Sequence, residues 1–486
     1  MSMQDVFWAF VLLGMLLIVS RLIRQNVGVL RRIFLPSSII AGALALVLGP
    51  QVLGAIAGED NWLANGLWPS ETPGVWAALP GLLINVVFAA LLMGRPIPGL
   101  RTIWNQAGPQ VCFGQTLAWG QYVVGILLTM LILTPFFDIP AVAGALIEIG
   151  FEGGHGTAAG MREAFIAADW EDGADLALGL ATIGLVGGVI IGTILVNWAA
   201  RKGHIKLDED IAPLDEVDLH TSDVTTGEIR ELQRDKQQES QPTDPLSLHL
   251  GLVAVAIGLG WLILEGLKLL EANTWGYAAP DATEDPVRVF THVPLFPLAM
   301  IGGVIIQITF DRLGKSDLIS DRLMSRISGA ALDFTIVAAL GALSLQAIGA
   351  NLGPFVLLAG AGIAWSVFGV FVLAPRIIPT GWFERGVGDF GQSMGVTVTG
   401  LLLMRVADPP NKSGAMQSFG YKQLMFEPVV GGGLFTGASV GLIVAFGSGA
   451  MLTVTLAVTI FWIVFGFLAF GRAARQNRAA EAQARQ

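Results

Sequence analysis

An apolar run long enough to make a membrane helix, Ala141 to Ala168, is interrupted midway by Phe151-Glu-Gly-Gly-His-Gly-Thr-Ala-Ala-Gly160. This interruption constrains the fold more than any other stretch. Gly153, Gly154 and Gly156 would open the helix and free backbone N–H and C=O groups at membrane depth. Lipid cannot satisfy such groups, so irregular backbone survives there only when buried in protein or lining a polar cavity. Half a chain later the pattern returns as Gly391-Gln-Ser-Met-Gly395-Val-Thr397-Val-Thr399-Gly400. Helix breaks at corresponding places in two halves are the pattern of a transporter binding site.

Composition agrees with a polytopic membrane protein: 53% of residues are hydrophobic and 14% charged, against roughly 25% charged in soluble domains. Met1 to Asp5 carries an acid and no Lys or Arg, so the first apolar run reads as a retained span rather than a secretory signal. The single cysteine, Cys112, excludes a disulfide within the chain and the usual thiolate metal sites. Basic residues gather at span ends with no basic, aromatic-studded stripe, so no nucleic-acid partner is expected.

Runs of about 20 apolar residues qualify as spans. They are Val6–Val19, Phe34–Ile56, Leu79–Met93, Val111–Leu133, the broken Ala141–Ala168, and Leu176–Ala199. After a charged stretch come Leu246–Leu270, Leu295–Phe310, Ile327–Leu345, Phe355–Ala374, the broken Val387–Met404, Pro428–Phe446 and Met451–Phe470. With the N-terminus outside and both broken segments re-entrant, all but Arg162, Lys268 and Arg288 of the 28 Lys and Arg fall inside. That bias is the one Lys and Arg show in membrane proteins. It places Lys422 in an inner loop and the C-terminus in the cytoplasm.

The expected fold is therefore all-α and polytopic, with two inverted-topology repeats and an extra C-terminal span. Residues 1–199 form the first repeat, with its re-entrant loop at 141–168, and 200–245 form a cytoplasmic charged linker. Residues 246–447 form the second repeat, with its loop at 387–404, and 448–486 the last span and a basic tail. Trp62, Trp68, Trp76 and Trp275 suit an interfacial aromatic belt. Gly184, Gly187, Gly188 and Gly192 read as a close helix-packing face.

Gly153, Gly154, His155, Gly156 and Thr157 in the first loop, with Gly395, Thr397 and Thr399 in the second, form the candidate substrate site. A half-helix starting near Thr157 would turn N–H groups toward an anion. Thr397, Thr399, Asn85 and Asp333 are candidate Na⁺ ligands. The two Thr offer hydroxyl oxygen to a hard cation, while Asn85 and Asp333 are polar groups at matching places in the third span of each half. Membrane-embedded acids are functional candidates by default, although Glu148, Glu152 and Asp389 read more readily as solvated at an interface.

Gly153-Gly154-His155-Gly156-Thr157-Ala158-Ala159, the G-x-x-x-G-V-T-x-T-G stretch at Gly391–Gly400, and Pro428-Val-Val-Gly431-Gly-Gly433 resemble the bacterial sodium/glutamate symporter family. Ser393 stands where that family commonly has the middle glycine of G-x-G-x-G. The resemblance implies sodium-coupled uptake of L-glutamate across the inner membrane, by an elevator movement and in a homodimer embedded in lipid. Na⁺ is then the coupling ion and no catalysis is expected. The chain read by itself leaves open proton coupling and another small carboxylate or sulfonate as substrate. An intramembrane enzyme using His155 and Asp333 is the other class; it lacks a nucleophile motif and gives no reason for a second helix break.

Overall fold

A computed structural model describes the chain except residues 1, 29, 31–34, 59–60, 65, 96–98, 206–244, 275–289, 291–292, 409–411 and 485–486. The linker expected at 200–245 is almost wholly outside the described residues, as are Arg31, Arg32, Trp275 and Arg288. The described residues are helical in α1 (Met3–Asn26), α2 (Ser37–Val47), α3 (Thr72–Ala90) and α4 (Leu100–Leu128). Next come α5 (Leu146–Phe151), α6 (Gly154–Gly160), α7 (Arg162–Ala167) and α8 (Asp172–Arg201). The second half holds α9 (Pro245–Asn273), α10 (Phe296–Arg312), α11 (Asp321–Gly341), α12 (Leu352–Phe368), α13 (Trp382–Ala407), α14 (Ala415–Phe426) and α15 (Leu434–Ala484). Nine helical stretches among the described residues are long and apolar enough to cross a membrane, which makes this a multi-pass membrane protein.

Both expected interruptions are present. The first run opens between α5 and α6, where Gly154 has φ +68. In α13 the helical backbone fails at Gly395 (φ −147, ψ 43) and Val396 (φ 59, ψ 178). A third interruption corrects the expected span Pro428–Phe446. Between α14 and α15 the chain is non-helical through Pro428–Gly433, with Gly431 at φ +70 and Gly432 at φ +100. Those angles are open to glycine and strained for other residues. The last two expected spans run on within α15 as two helices that meet at a sharp kink at Gly447 (φ 77, ψ 162), between the expected ends Phe446 and Met451.

The helices sort into two groups. In one, α3 and α11 pack on each other; α2 leans on α11 while α10 leans on α3. The cores on either side of this pair are Ala9, Leu13, Ala41, Trp76 and Val337, and Ala89, Met93, Val253, Ala299 and Met324. In α1 the buried positions Ala9, Leu13, Leu16 and Ser20 recur at helical spacing, while Phe7, Trp8, Met15 and Leu22 are exposed. One stripe thus packs on protein and the rest of the surface is suited to lipid. The Trp belt is corrected in part: Trp62 is exposed, but Trp76 is buried and donates its indole N–H to Ala9 O at 3.2 Å.

The other group contains all three interruptions, on α4 to α8 and α12 to α15. The glycine face of α8 works as expected. A Cβ on Gly184 would lie 2.1 Å from Met394 O, one on Gly188 2.9 Å from Met394 Cβ, and one on Gly192 2.3 Å from Leu403 Cδ1. Backbone-to-backbone approach of this kind needs small residues, and it seats α8 against both legs of the broken α13. Both fourth helices also carry a wide π-type turn, Thr129–Leu133 and Gly369–Leu373, just before Pro135 and Pro375. A proline takes an N–H out of the helix ladder, and such bulges absorb the loss.

Candidate functional site

The three interruptions meet. A Cβ on Gly154 would sit 2.3 Å from Val396 Cγ1, so the first and second breaks touch. A Cβ on Gly432 would be 2.7 Å from Thr157 Oγ1, which brings the third break against the first. Around the junction lies a set of buried polar side chains. Glu148 is 0% exposed, Glu152 2%, Asp389 1% and Lys422 1%.

Each acid is held differently. The Glu148 carboxylate accepts from Tyr122 O–H (2.6 Å), Thr436 O–H (2.8 Å) and the Gly431 backbone N–H (2.7 Å). It thereby ties α5 to the third break. Asp389, on the first leg of α13, accepts from Lys422 Nζ at 2.7 Å, and the same ammonium donates to Gln392 Oε1 at 2.6 Å. Lys422 also lies over the rings of Phe419 (4.6 Å) and Phe426 (4.2 Å), a cation–π arrangement strengthened by desolvation. Glu152, in the first break, accepts from Ser393 O–H at 2.5 Å. Half-buried Glu427 accepts from Thr397 O–H (3.1 Å), while Gln423 donates to Thr397 Oγ1 (2.8 Å).

The structure brings Gly153, Gly154, Thr157, Gly395 and Thr397 to the junction, and leaves the Thr157 hydroxyl buried without a partner. His155 turns to α8, its Nε2 lying 3.0 Å from Thr182 Oγ1. The same Thr182 hydroxyl lies 3.0 Å from Leu178 O, so it links the imidazole to the α8 backbone. Gly156 meets the other helix group, its Cβ position 2.9 Å from Ile84 Cδ1 and 3.1 Å from Leu332 Cδ1. Thr399 closes on Gly395 O at 2.6 Å. Asn85 and Asp333 directly follow Ile84 and Leu332 on α3 and α11, and the Asn85 amide donates to Gly81 O and Leu82 O within its own helix.

Sequence reasoning missed two parts of this site. Lys422, placed in an inner loop, is the buried cation of the cluster; its marker is a lone Lys among Phe419, Tyr421, Leu424 and Phe426 in α14. The Pro428–Gly433 break falls where the apolar pattern predicts the start of a span; its three successive glycines are the denser signal. Glu148, Glu152 and Asp389, taken as solvated, are all buried. Arg162, at the start of α7, is engaged by Asp175 at 3.1 Å and Glu171 at 3.4 Å.

No curated protein matches the chain. A family model described as sodium/glutamate symporter matches residues 110–378, more than half of the 486 residues. The matched stretch holds the first break, Tyr122, Glu148, Glu152 and the glycine face of α8 that seats the second. By that match, the chain belongs to the sodium/glutamate symporter family.

Proposed function

We propose that the protein is a sodium-coupled importer of L-glutamate in the inner membrane. The observation that carries this reading is the meeting of three helix interruptions, lined by buried polar groups, inside an otherwise apolar bundle. Freed backbone and helix ends at such a junction offer both N–H donors and carbonyl acceptors, as a zwitterionic, doubly carboxylated substrate needs. The second leg of α13 begins at Thr397, so its first N–H groups have no partner within their own helix. Beside them stand the Thr157 hydroxyl and the Glu427 carboxylate. The former suits a substrate carboxylate and the latter an α-ammonium.

The two halves are read as inverted repeats. Support comes from the α3–α11 pair with α2 and α10 leaning crosswise on it, from the π-turn before a proline in each fourth helix, and from one break directly after each. Movement is read as an elevator. The first three helices of each half form the scaffold, in a homodimer, and the group carrying the breaks moves past it. The surface between them at Gly156 and Gly160 is apolar, made by Ile84, Leu332 and Phe296. A surface without directional bonds slides at little cost. The orientation read from Lys and Arg puts the N-terminus outside and the C-terminus inside.

The test is uptake of labelled L-glutamate by proteoliposomes under an inward Na⁺ gradient, against choline in place of Na⁺. Accumulation only with Na⁺ is expected. Equal uptake in choline driven by a pH gradient would replace sodium by protons. No uptake of glutamate, with uptake of another small carboxylate or sulfonate, would correct the substrate.

A further inference from the structure

We infer that the coupling Na⁺ binds at Glu152, Gln121 and Ser393, where the first break meets the first leg of α13. The inference rests on the sodium-coupled reading above and gives it a location. It begins with the state of the buried acids. Glu148 is satisfied by three donors, and Asp389 has its own ammonium in Lys422. Glu152 has neither. One of its oxygens takes the Ser393 hydroxyl, and the other, Oε2, is buried with no partner. The remaining cation nearby, Arg385, is one turn before Asp389 on α13 and shares its field with Glu384. The field of Lys422 reaches Glu152, but the ammonium itself is bonded to Asp389 and Gln392. A carboxylate with a bare oxygen and no cation in contact is costly in so apolar a place.

Gln121 supplies the second observation. Its Nε2 donates to the backbone carbonyl of Ser393 at 2.6 Å. A carbonyl only accepts, so the amide orientation is fixed and Oε1 must face away from that carbonyl. Gln121 is 0% exposed and its Oε1 has no partner. Ser393 thus gathers both groups, its carbonyl holding the Gln121 amide and its hydroxyl holding Glu152. Two side chains that each carry one orphaned oxygen meet at one residue, which adds a hydroxyl oxygen of its own. Oxygen-only sets of this kind take hard cations, and a set with one carboxylate and two neutral oxygens, beside an ammonium already bonded to Asp389, suits a monovalent one. Ser393 also explains itself: glycine at this position would remove the hydroxyl ligand.

The location has a mechanical consequence. A cation here would bind α13 to the first break, adjoining the Gly154–Val396 contact, and so would set the geometry of the junction that receives the substrate. Ion and substrate binding would then be coupled through shape rather than shared ligands.

The experiment uses the full chain in detergent and in proteoliposomes, with ²²Na⁺ binding and Na⁺-dependent thermal stabilisation read beside glutamate uptake. Glu152→Gln, which keeps shape and removes charge, should abolish saturable ²²Na⁺ binding and the Na⁺-induced rise in melting temperature. Ser393→Ala should raise the Na⁺ half-saturation more than tenfold while leaving the maximal uptake rate near wild type, and it serves if Glu152→Gln does not fold. Asp333→Asn should leave Na⁺ binding unchanged. Wild-type Na⁺ binding that survives in both Glu152→Gln and Ser393→Ala would overturn this site and leave the sodium-coupled reading intact. Loss of Na⁺ binding in Asp333→Asn but not in Glu152→Gln would move the site to the α3–α11 pair. No Na⁺ binding by the wild type would overturn both.

Discussion

Removing the Lys422 ammonium should destabilise the protein severely, and removing its partner as well should restore much of the loss. The pair is 2.7 Å apart, with side chains 1% and 0% exposed, so no water is at hand to replace either partner. Breaking a buried pair from one side costs about 3–5 kcal/mol, because the survivor is a desolvated, uncompensated charge; replacing both partners by uncharged groups is often near neutral. Lys422→Met keeps the stem that packs near Gly114 and loses the charge, and we expect a loss of about 3 kcal/mol or more. Asp389→Asn should cost a similar amount, softened by Gln392 and by the Phe419 and Phe426 rings, which remain for the ammonium. The double variant should fall short of the summed losses by about 3 kcal/mol. The measurement is reversible unfolding by SDS titration in mixed micelles, read by far-UV circular dichroism, for wild type, both single variants and the double. Losses that add to within about 0.5 kcal/mol would refute the reasoning, since each side chain would then be solvated or otherwise partnered.

Two further variants probe the junction. Gly154→Ala places a methyl 2.3 Å from Val396 Cγ1 on a residue at φ +68. The backbone term is about 1–2 kcal/mol and the overlap about 1–3 kcal/mol. Uptake should fall at least tenfold, and Val396→Ala should recover only the steric part; wild-type uptake by Gly154→Ala alone would remove the close contact between the first two breaks. Gly184→Val should prevent α8 from seating on Met394 O and abolish both folding yield and uptake. Gly187→Ala, whose Cβ would have 3.6 Å to Met394 Cε, should leave both unchanged. Equal effects of the two substitutions would mean that α8 and α13 do not approach as described.

Most of the spans and two of the three breaks are legible in the sequence because they follow from the bilayer itself. About 20 apolar residues span it, and clustered glycines cannot hold a helix inside it without help. The α8 glycine face is legible for the same reason, since spacing of four puts Gly184, Gly188 and Gly192 on one side. What the sequence hides depends on neighbours far along the chain. Trp76 reads as an interfacial aromatic until α1 covers it with Ala9. Lys422 reads as an inner-face anchor because the Lys and Arg rule counts charges without knowing that Asp389, 33 residues earlier, waits for this one. Pro428–Gly433 looks like the start of a span because glycine is common in membrane helices, and only the Glu148 carboxylate shows why the helix stops there.

That carboxylate points to how the breaks and the buried acids explain each other. An interrupted helix frees backbone groups that lipid cannot satisfy, and a buried acid needs donors that an apolar bundle does not offer. Here each supplies the other's want. The Gly431 N–H goes to Glu148, the Gly432 N–H to Thr436, the Gly395 carbonyl to Thr399 and the Ser393 carbonyl to Gln121. Once these are matched, Glu152 Oε2, Asp389 Oδ2, Gln121 Oε1, Gln423 Oε1 and Thr157 Oγ1 are among the atoms still unsatisfied around the junction. Four of these five can only accept, and the fifth is a hydroxyl. A fold that had merely to be stable would gain by closing them off with a donor or by replacing Glu152 with an apolar residue. Leaving oxygens open beside a strained backbone position, Val396, is instead what a site requires when its missing partners arrive from solution and leave again.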